Sequence, residues 1–213
     1  MRTFHTASLA DQVFEKLEND IIHGIYPRGE ILTELKLVEQ LGVSRTPIRE
    51  ALRRLEQERL IEESGKGSVV LGITTDDLVD IMSIREHIEG LAAYYACINA
   101  TPEDLKALEN IVDLQDFFFG KWDVDQLQKA DDRFHDMICE LSGRTVIRDT
   151  LVPLHRKTRR YRKTAIQDKA RAVLSLQEHR AIFNALKAGD PEKAKEITNQ
   201  HITNAKNHML EGI

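Results

Sequence analysis

The stretch GVSRTPIREALRRLE, residues 42–56, decides how this chain is read. Ser44 stands ahead of Ile48, Leu52 and Leu55, which recur at helical spacing, and Pro47 falls in a first turn that has no use for its missing N–H. The pattern predicts a helix from Ser44 to about Gln57. On that helix Arg45, Arg49 and Arg53 form a row at i, i+4 beside the apolar stripe. One face packs; the other presents guanidinium forks that suit guanine edges and phosphates. The plainer reading is a solvated face on which Arg54 pairs with Glu50 or Glu58.

Upstream, Leu9, Val13, Leu17 and Ile21 recur every four residues after Ser8 and before Gly24, which predicts a helix. A shorter helix in LTELKLVEQLG closes at Gly42. Downstream, LIEESGKGSVVLG predicts a hairpin with Gly65 and Gly67 free to take positive φ. Three helices and a hairpin are the order of a winged helix-turn-helix, assigned to residues 1–73. That segment has 10 basic and 12 acidic residues, so the placement of its arginines, not its net charge, carries the case for DNA.

From residue 74 to 213 only helical patterns follow. Helices are expected at about 76–98, 102–118, 124–142, 145–163, 171–188 and 191–210, with Thr75 capping the first and Pro153 kinking or splitting the fourth. The fold class is therefore mainly α: a winged helix-turn-helix with a small hairpin, then a bundle of about six helices. Such bundles build ligand sites between their helices.

The 213 residues contain 30 Lys plus Arg and 35 Asp plus Glu. No run approaches the ~18 apolar residues of a spanning helix, and the N-terminus lacks the apolar core of a signal peptide, so a cytoplasmic protein without membrane contact is expected. Cys97 and Cys139 lie far apart in helical segments, as buried thiols in a reducing compartment do.

Among eight histidines, spacing singles out a few. Asp131 and His135 stand at i, i+4 and share a helical face. His179 and His201 sit in the last two helices with apolar neighbours one turn away. A carboxylate and three imidazoles make a mixed oxygen and nitrogen set suited to Zn, Ni, Mn or Fe, if the three helices meet.

GVSRTPIREALRRLE followed by LIEESGKGSVV resembles the winged-helix domain of GntR-type transcription regulators. The resemblance implies that Ser44, Arg45, Thr46 and Arg49 contact operator DNA and that Gly65, Lys66 and Gly67 form the wing entering the adjacent minor groove. Some members place a phosphate-contacting Arg where this chain has Leu35, with Lys36 beside it as a substitute. SIREHIEGLAA, DDRFHDMICELSG and EHRAIFNALKAGDPEKAKEITNQHI resemble the helical effector-binding (FCD) domain of the FadR-type branch. By that resemblance Asp131, His135, His179 and His201 hold a divalent metal whose open positions take a carboxylate effector. Arg85 matches an Arg near the cavity that grips the effector; its plainer role is an ion pair with Glu89. The basic run 156–163 is either a further anion contact or a solvated face. Arg144 replaces the family's Asn after the metal helix. His87, His155 and His208 fall outside the set.

The resulting expectation is a homodimeric, ligand-responsive repressor on double-stranded, palindromic operator DNA, sensing a small carboxylate such as a sugar or hydroxy acid. It is not expected to be an enzyme. The alternatives are a metalloenzyme built on the Asp and three His, and a regulator whose metal is purely structural.

Overall fold

The computed structural model describes residues 8–211; the first seven residues of the terminus read for a leader lie outside them. The chain divides into two compact units between Thr74 and Thr75.

The first unit contains α1 (Leu9–Ile22), β1 (Ile31–Leu32), α2 (Glu34–Leu41), α3 (Arg45–Gln57), β2 (Ile61–Ser64) and β3 (Gly67–Val70). α1 opens with a capping box, in which the Asp11 amide donates to Ser8 Oγ at 3.1 Å and the Ser8 amide donates to the Asp11 carboxylate at 3.0 Å. Gly42 ends α2 in the left-handed region, as its position predicts. Leu17, Leu37, Ile48, Leu55 and Leu60 are fully buried between the helices and the sheet, while Leu52 is only half-buried at the edge.

The sheet is antiparallel with order β1-β3-β2; Ile31 faces Val69 and Ile61 faces Val70. β1 has no counterpart among the expected elements, because two residues carry no readable alternation. Of the two turn glycines, only Gly67 takes positive φ, at +132°. A Cβ there would lie 2.6 Å from the Leu32 carbonyl oxygen, so the close passage of β1 requires glycine at this point.

The second unit is helical: α4 (Thr75–Asn99), α5 (Pro102–Gly120), α6 (Val124–Leu141), α7 (Thr145–Gln167), α8 (Lys169–Ala188) and α9 (Pro191–Glu211). Two expectations are corrected, the cap at Thr75 and a split at Pro153. Thr75 is the first helical residue and not a cap. α7 runs through Pro153 unbroken and on to Gln167, where Asp168 caps α8 by accepting from the Ala170 and Arg171 amides. Leu108, Val112, Phe134, Leu151 and Ile182 are fully buried in the core. Cys139 is a buried free thiol in that core and Cys97 a half-buried one beside it. No helix among the described residues is long and apolar enough to cross a membrane.

Gly90 lets α4 and α9 approach closely. A Cβ there would overlap the Asn199 side-chain amide and lie 2.9 Å from the Lys195 carbonyl oxygen. Gly90→Ala gains up to about 1 kcal/mol of helix propensity but loses about 1–3 kcal/mol to overpacking. Because α9 backbone must move, the loss prevails. Chemical denaturation is expected to show a less stable protein; an unchanged or raised midpoint would contradict this packing.

Candidate metal centre and nucleic-acid interface

Three imidazoles converge in the second unit. α6 supplies Asp131 and His135 one turn apart, α8 supplies His179 and α9 supplies His201, and all four residues are buried. One ring nitrogen from each histidine lies within 4.8 Å of the others. The three Nδ1 atoms are all engaged. His135 Nδ1 is 3.2 Å from Glu89 Oε2, His179 Nδ1 is 3.0 Å from Gln115 Oε1, and His201 Nδ1 is 2.6 Å from Glu178 Oε2. Gln115 donates its amide nitrogen to the Ala130 carbonyl at 3.2 Å, which turns its oxygen toward His179.

Each of these partners accepts, so each Nδ1 carries the proton and each Nε2 keeps a lone pair. His179 Nε2 and His201 Nε2 face one another at 3.2 Å. Two lone pairs at that distance repel unless a cation lies between them. A shared proton would answer this as a hydrogen bond between the two rings; burial drives the His135 imidazole down to about 3 despite Glu89 and holds His179 well below its ordinary value, so these two rings offer neutral nitrogens to a metal ion. Asp131 Oδ1, 3.8 Å from His179 Nε2, adds a carboxylate oxygen. The three ring nitrogens form the group close enough to share one ion, with Asp131 beside them and its Oδ2 taken by Arg162; each ring is steadied from behind by a carboxylate or amide, and the set fits a divalent first-row ion.

The electrostatics behind the rings reinforce this set. Burial would raise the Glu89 carboxyl, but Arg85 and His155 outweigh it and hold the group well below its usual range. For Glu178 burial is likewise outweighed, by hydrogen bonds from His201 and Arg171, and its carboxyl sits at about 2. Both acceptors are therefore anions near neutral pH.

A cavity of about 30 Å³ adjoins the cluster, walled by Arg85, Asp131, His135, Arg162, Arg171 and His201 among others. Arg85 makes the ion pair expected of its plainer role. It borders the cavity, and its Nε donates to Glu89 at 2.6 Å while Nη1 donates to Thr158 Oγ1 at 2.9 Å. Within the basic run 156–163, Arg162 is buried, not solvated: its Nη1 reaches Asp131 Oδ2 at 3.2 Å and Asp132 Oδ1 at 2.9 Å. Arg171 forms a two-pronged pair with Glu178, at 3.1 and 2.8 Å. Arg144 lies 4.0 Å over the Tyr95 ring and does not border the cavity. His155, outside the set, bridges Glu89 and Asp136.

Sequence reasoning missed Glu89 as a partner of His135, and missed Gln115, Glu178, Arg162 and Arg171. Glu178 directly precedes His179, and Glu89 was visible as the i+4 partner of Arg85. Arg171 stands seven residues before Glu178 on the same helix, two turns along one face. For Gln115 and Arg162 no spacing signal exists, because their contacts cross between helices.

In the first unit Ser44 caps α3 by position but makes no side-chain cap bond, so its exposed hydroxyl is left for another acceptor or donor. Arg45, Thr46 and Arg49 are exposed on the same N-terminal turns. Arg45 makes no ion pair among the described residues; Arg49 Nε pairs with Glu34 at 2.9 Å and Arg53 takes Glu50 at 2.7 Å. Arg54 differs from its expected role: it pairs with Asp11 at 2.6 Å and lies 4.0 Å over the Phe14 ring, pinning α3 to α1. A groove of about 470 Å³ runs between α3 and the hairpin, bordered by Arg49, Arg53, Ser64 and Gly67 and by the acids Glu34 and Glu56. Lys66 is exposed in the turn joining β2 to β3, as is Gly65. Leu35 is exposed, and Lys36 beside it pairs with Glu30 at 2.7 Å.

Comparison with known proteins places both units. The FCD domain family matches residues 80–204, more than half of the chain, and the family described as bacterial regulatory proteins, gntR family, matches residues 9–70. The HTH-type transcriptional regulator YdhC of Bacillus subtilis (strain 168) is 28% identical over 202 residues, covering 94% of this chain and 88% of its own. The galactonate operon transcriptional repressor of Escherichia coli (strain K12) is 27% identical over 228 residues, covering 97% and 99%. The E. coli McbR/YncC structure shares the fold with a TM-score of 0.81 at 24% identity, over 97% of this chain and 99% of that one. With a gntR winged helix followed by an FCD domain, the chain belongs to the GntR family of bacterial regulatory proteins and is a DNA-binding transcription regulator.

Proposed function

We propose that the chain is a repressor that acts as a homodimer on a palindromic operator and is released by a small carboxylate bound at a divalent metal centre. The observation that carries this reading is the convergence of three buried imidazoles, one ring nitrogen from each, beside Asp131, with every Nδ1 held by a carboxylate or amide oxygen. Asp131, His135, His179 and His201 hold the ion, which when bound supplies a Lewis-acid position for a carboxylate oxygen. Arg85 and its neighbours complete an anion-accepting wall. The names of the galactonate repressor and of the E. coli repressor RspR, 26% identical over 198 residues, support the direction of regulation.

At the operator, α3 enters the major groove. Arg45 and Arg49 read bases or phosphates, Ser44 and Thr46 hydrogen-bond at the helix start, and Gly65, Lys66 and Gly67 form the wing. Releasing Arg49 from Glu34 costs little, because an exposed pair contributes only about 0–1 kcal/mol.

Dimerisation is supported by α4, where Ile84, Leu91 and Ile98 are exposed at seven-residue intervals, the repeat of a helix–helix seam. Leu91→Asp is expected to shift the protein to monomer in light-scattering chromatography and to weaken operator binding; a dimer of unchanged strength would remove α4 from the interface.

The small size of the cavity favours a second reading, in which the ion only stiffens the bundle. Operator titrations separate the two. Carboxylate-dependent loss of DNA binding that chelation abolishes supports the sensor; indifference to every carboxylate with metal bound supports the structural ion.

A further inference from the structure

The cavity beside the histidines has a composition that restricts what enters it, if the centre is the carboxylate sensor proposed above. Its guanidinium groups are each already matched by a carboxylate. Arg85 faces Glu89, Arg171 faces Glu178, and Arg162 faces Asp132, which also takes the solvent-screened Arg159 from outside the wall at 3.2 Å. Asp131 is the one remaining anion in the wall among the described residues. Ligation through Nε2 with the proton on Nδ1 leaves the three imidazoles neutral, so a divalent ion beside Asp131 leaves a single positive charge in excess. One negative charge on the ligand balances the site; two or three leave buried anionic charge uncompensated.

The remainder of the wall is apolar. Ala165, Ile166, Ala172, Ala205 and Met209 line it, and among the described residues Ser175 supplies the one hydroxyl. A polyhydroxylated chain would strip its hydroxyls of water against these methyl groups with few partners in return, at a cost of about 1–3 kcal/mol for each one left unpaired. The volume of about 30 Å³ holds roughly two waters, which fits a headgroup with a short tail and little more.

Arg162 provides the second observation that points to a ligand. Its side chain is 7% exposed. Nη1 is taken by Asp131 and Asp132, and Nη2 donates to the His155 carbonyl at 3.3 Å. Nε is buried and has no hydrogen-bond partner among the described residues. A buried N–H on a guanidinium normally finds an acceptor, and this one belongs to a residue of the cavity wall.

We infer that the cavity selects a short-chain aliphatic monocarboxylate, with or without a 2-hydroxyl, whose carboxylate is shared between the metal position and Arg162 and whose tail lies against Ile166, Ala172, Ala205 and Met209. Arg162 is then a ligand-binding residue that also touches Asp131, so it links effector occupancy to a metal ligand. Sugar acids and dicarboxylates are excluded, the first by the apolar wall and the second by charge.

The test uses the full-length, metal-loaded protein and a panel of acetate, propionate, lactate, succinate, citrate and gluconate, read by calorimetric titration and thermal shift. At least one of acetate, propionate and lactate is expected to bind about tenfold or more tighter than succinate, citrate and gluconate. Tighter binding of gluconate, citrate or succinate overturns the ligand class while leaving the sensor reading intact. Silence across the whole panel overturns both. In Arg162→Lys, which keeps a cation opposite Asp132, affinity for the preferred acid is expected to fall about tenfold or more; an unchanged affinity removes Arg162 from the site.

Discussion

An His179→Ala variant is expected to purify without stoichiometric metal and to lose the thermal stabilisation that metal confers on the wild type. The cause is linkage: an ion that binds only the folded state stabilises it by about 2.7 kcal/mol at a hundredfold excess over its dissociation constant. For a chain of this size that corresponds to a rise in Tm of roughly 5–10 °C. His179 is the ring whose Nε2 opposes that of His201 and whose Nδ1 is set by Gln115, so its removal takes away a donor that no neighbour replaces. It also stacks on Phe134 with ring centroids 4.3 Å apart, and alanine leaves a void there with its own cost. The decisive readout is therefore the response to added metal and not the absolute Tm. Wild type should rise on metal addition and H179A should not; an equal rise in both would take His179 out of the centre.

The second large effect is expected at Arg45. Its guanidinium is exposed on the first turn of α3 and makes no ion pair among the described residues, so nothing must be broken before it meets a base edge. A lost base contact costs about 1–3 kcal/mol. In a dimer the loss occurs at both half-sites, so Arg45→Ala should weaken operator binding by roughly 30-fold to more than 10,000-fold. Binding to unrelated DNA should fall much less, because that affinity rests on phosphate contacts distributed over the interface. Arg54→Ala is the contrasting variant. It removes the contacts to Asp11 and Phe14 and should lower stability without changing which sequence is preferred. Unchanged operator affinity in R45A would sink the recognition-helix assignment.

These two sites differ in how much of them is legible in the sequence. α3 can be read almost whole, since its cap, its Pro47, its apolar stripe and its arginine row are all local features at fixed spacing. The exception is Arg54, whose partner Asp11 lies 43 positions away and so leaves no trace in helical periodicity. In the bundle, the helices follow from their apolar spacing and their Gly and Pro boundaries, and α7 departs from its expected course in not splitting at Pro153 and in running on to Gln167. Asp131 and His135 are paired by spacing; that α8 and α9 bring His179 and His201 to them is a property of packing. The polar partners behind the rings are harder still. Gln115 stands on α5, Glu89 on α4 and Arg162 on α7, and each matters only because those helices face α6 and α8. A mixed set of ligands can be guessed from residue type, but the support that fixes its tautomers cannot.

Arg162 shows the limit most clearly. Within HRKTRRYRK it is one cation among six, and composition favours a solvated face for all of them. Folding buries this one against Asp131 and Asp132, with burial opposing and the two aspartates favouring its charge. Its chain neighbour Lys163 stays at the surface and pairs with Asp125.

The most direct test of the central claim is elemental analysis of the freshly purified full-length protein. Close to one divalent first-row ion per chain, lost from His179→Ala, is the predicted result. A metal-free protein that takes up no zinc, nickel, manganese or iron when these are supplied would contradict the metal centre, and the carboxylate sensor built on it would fall with it.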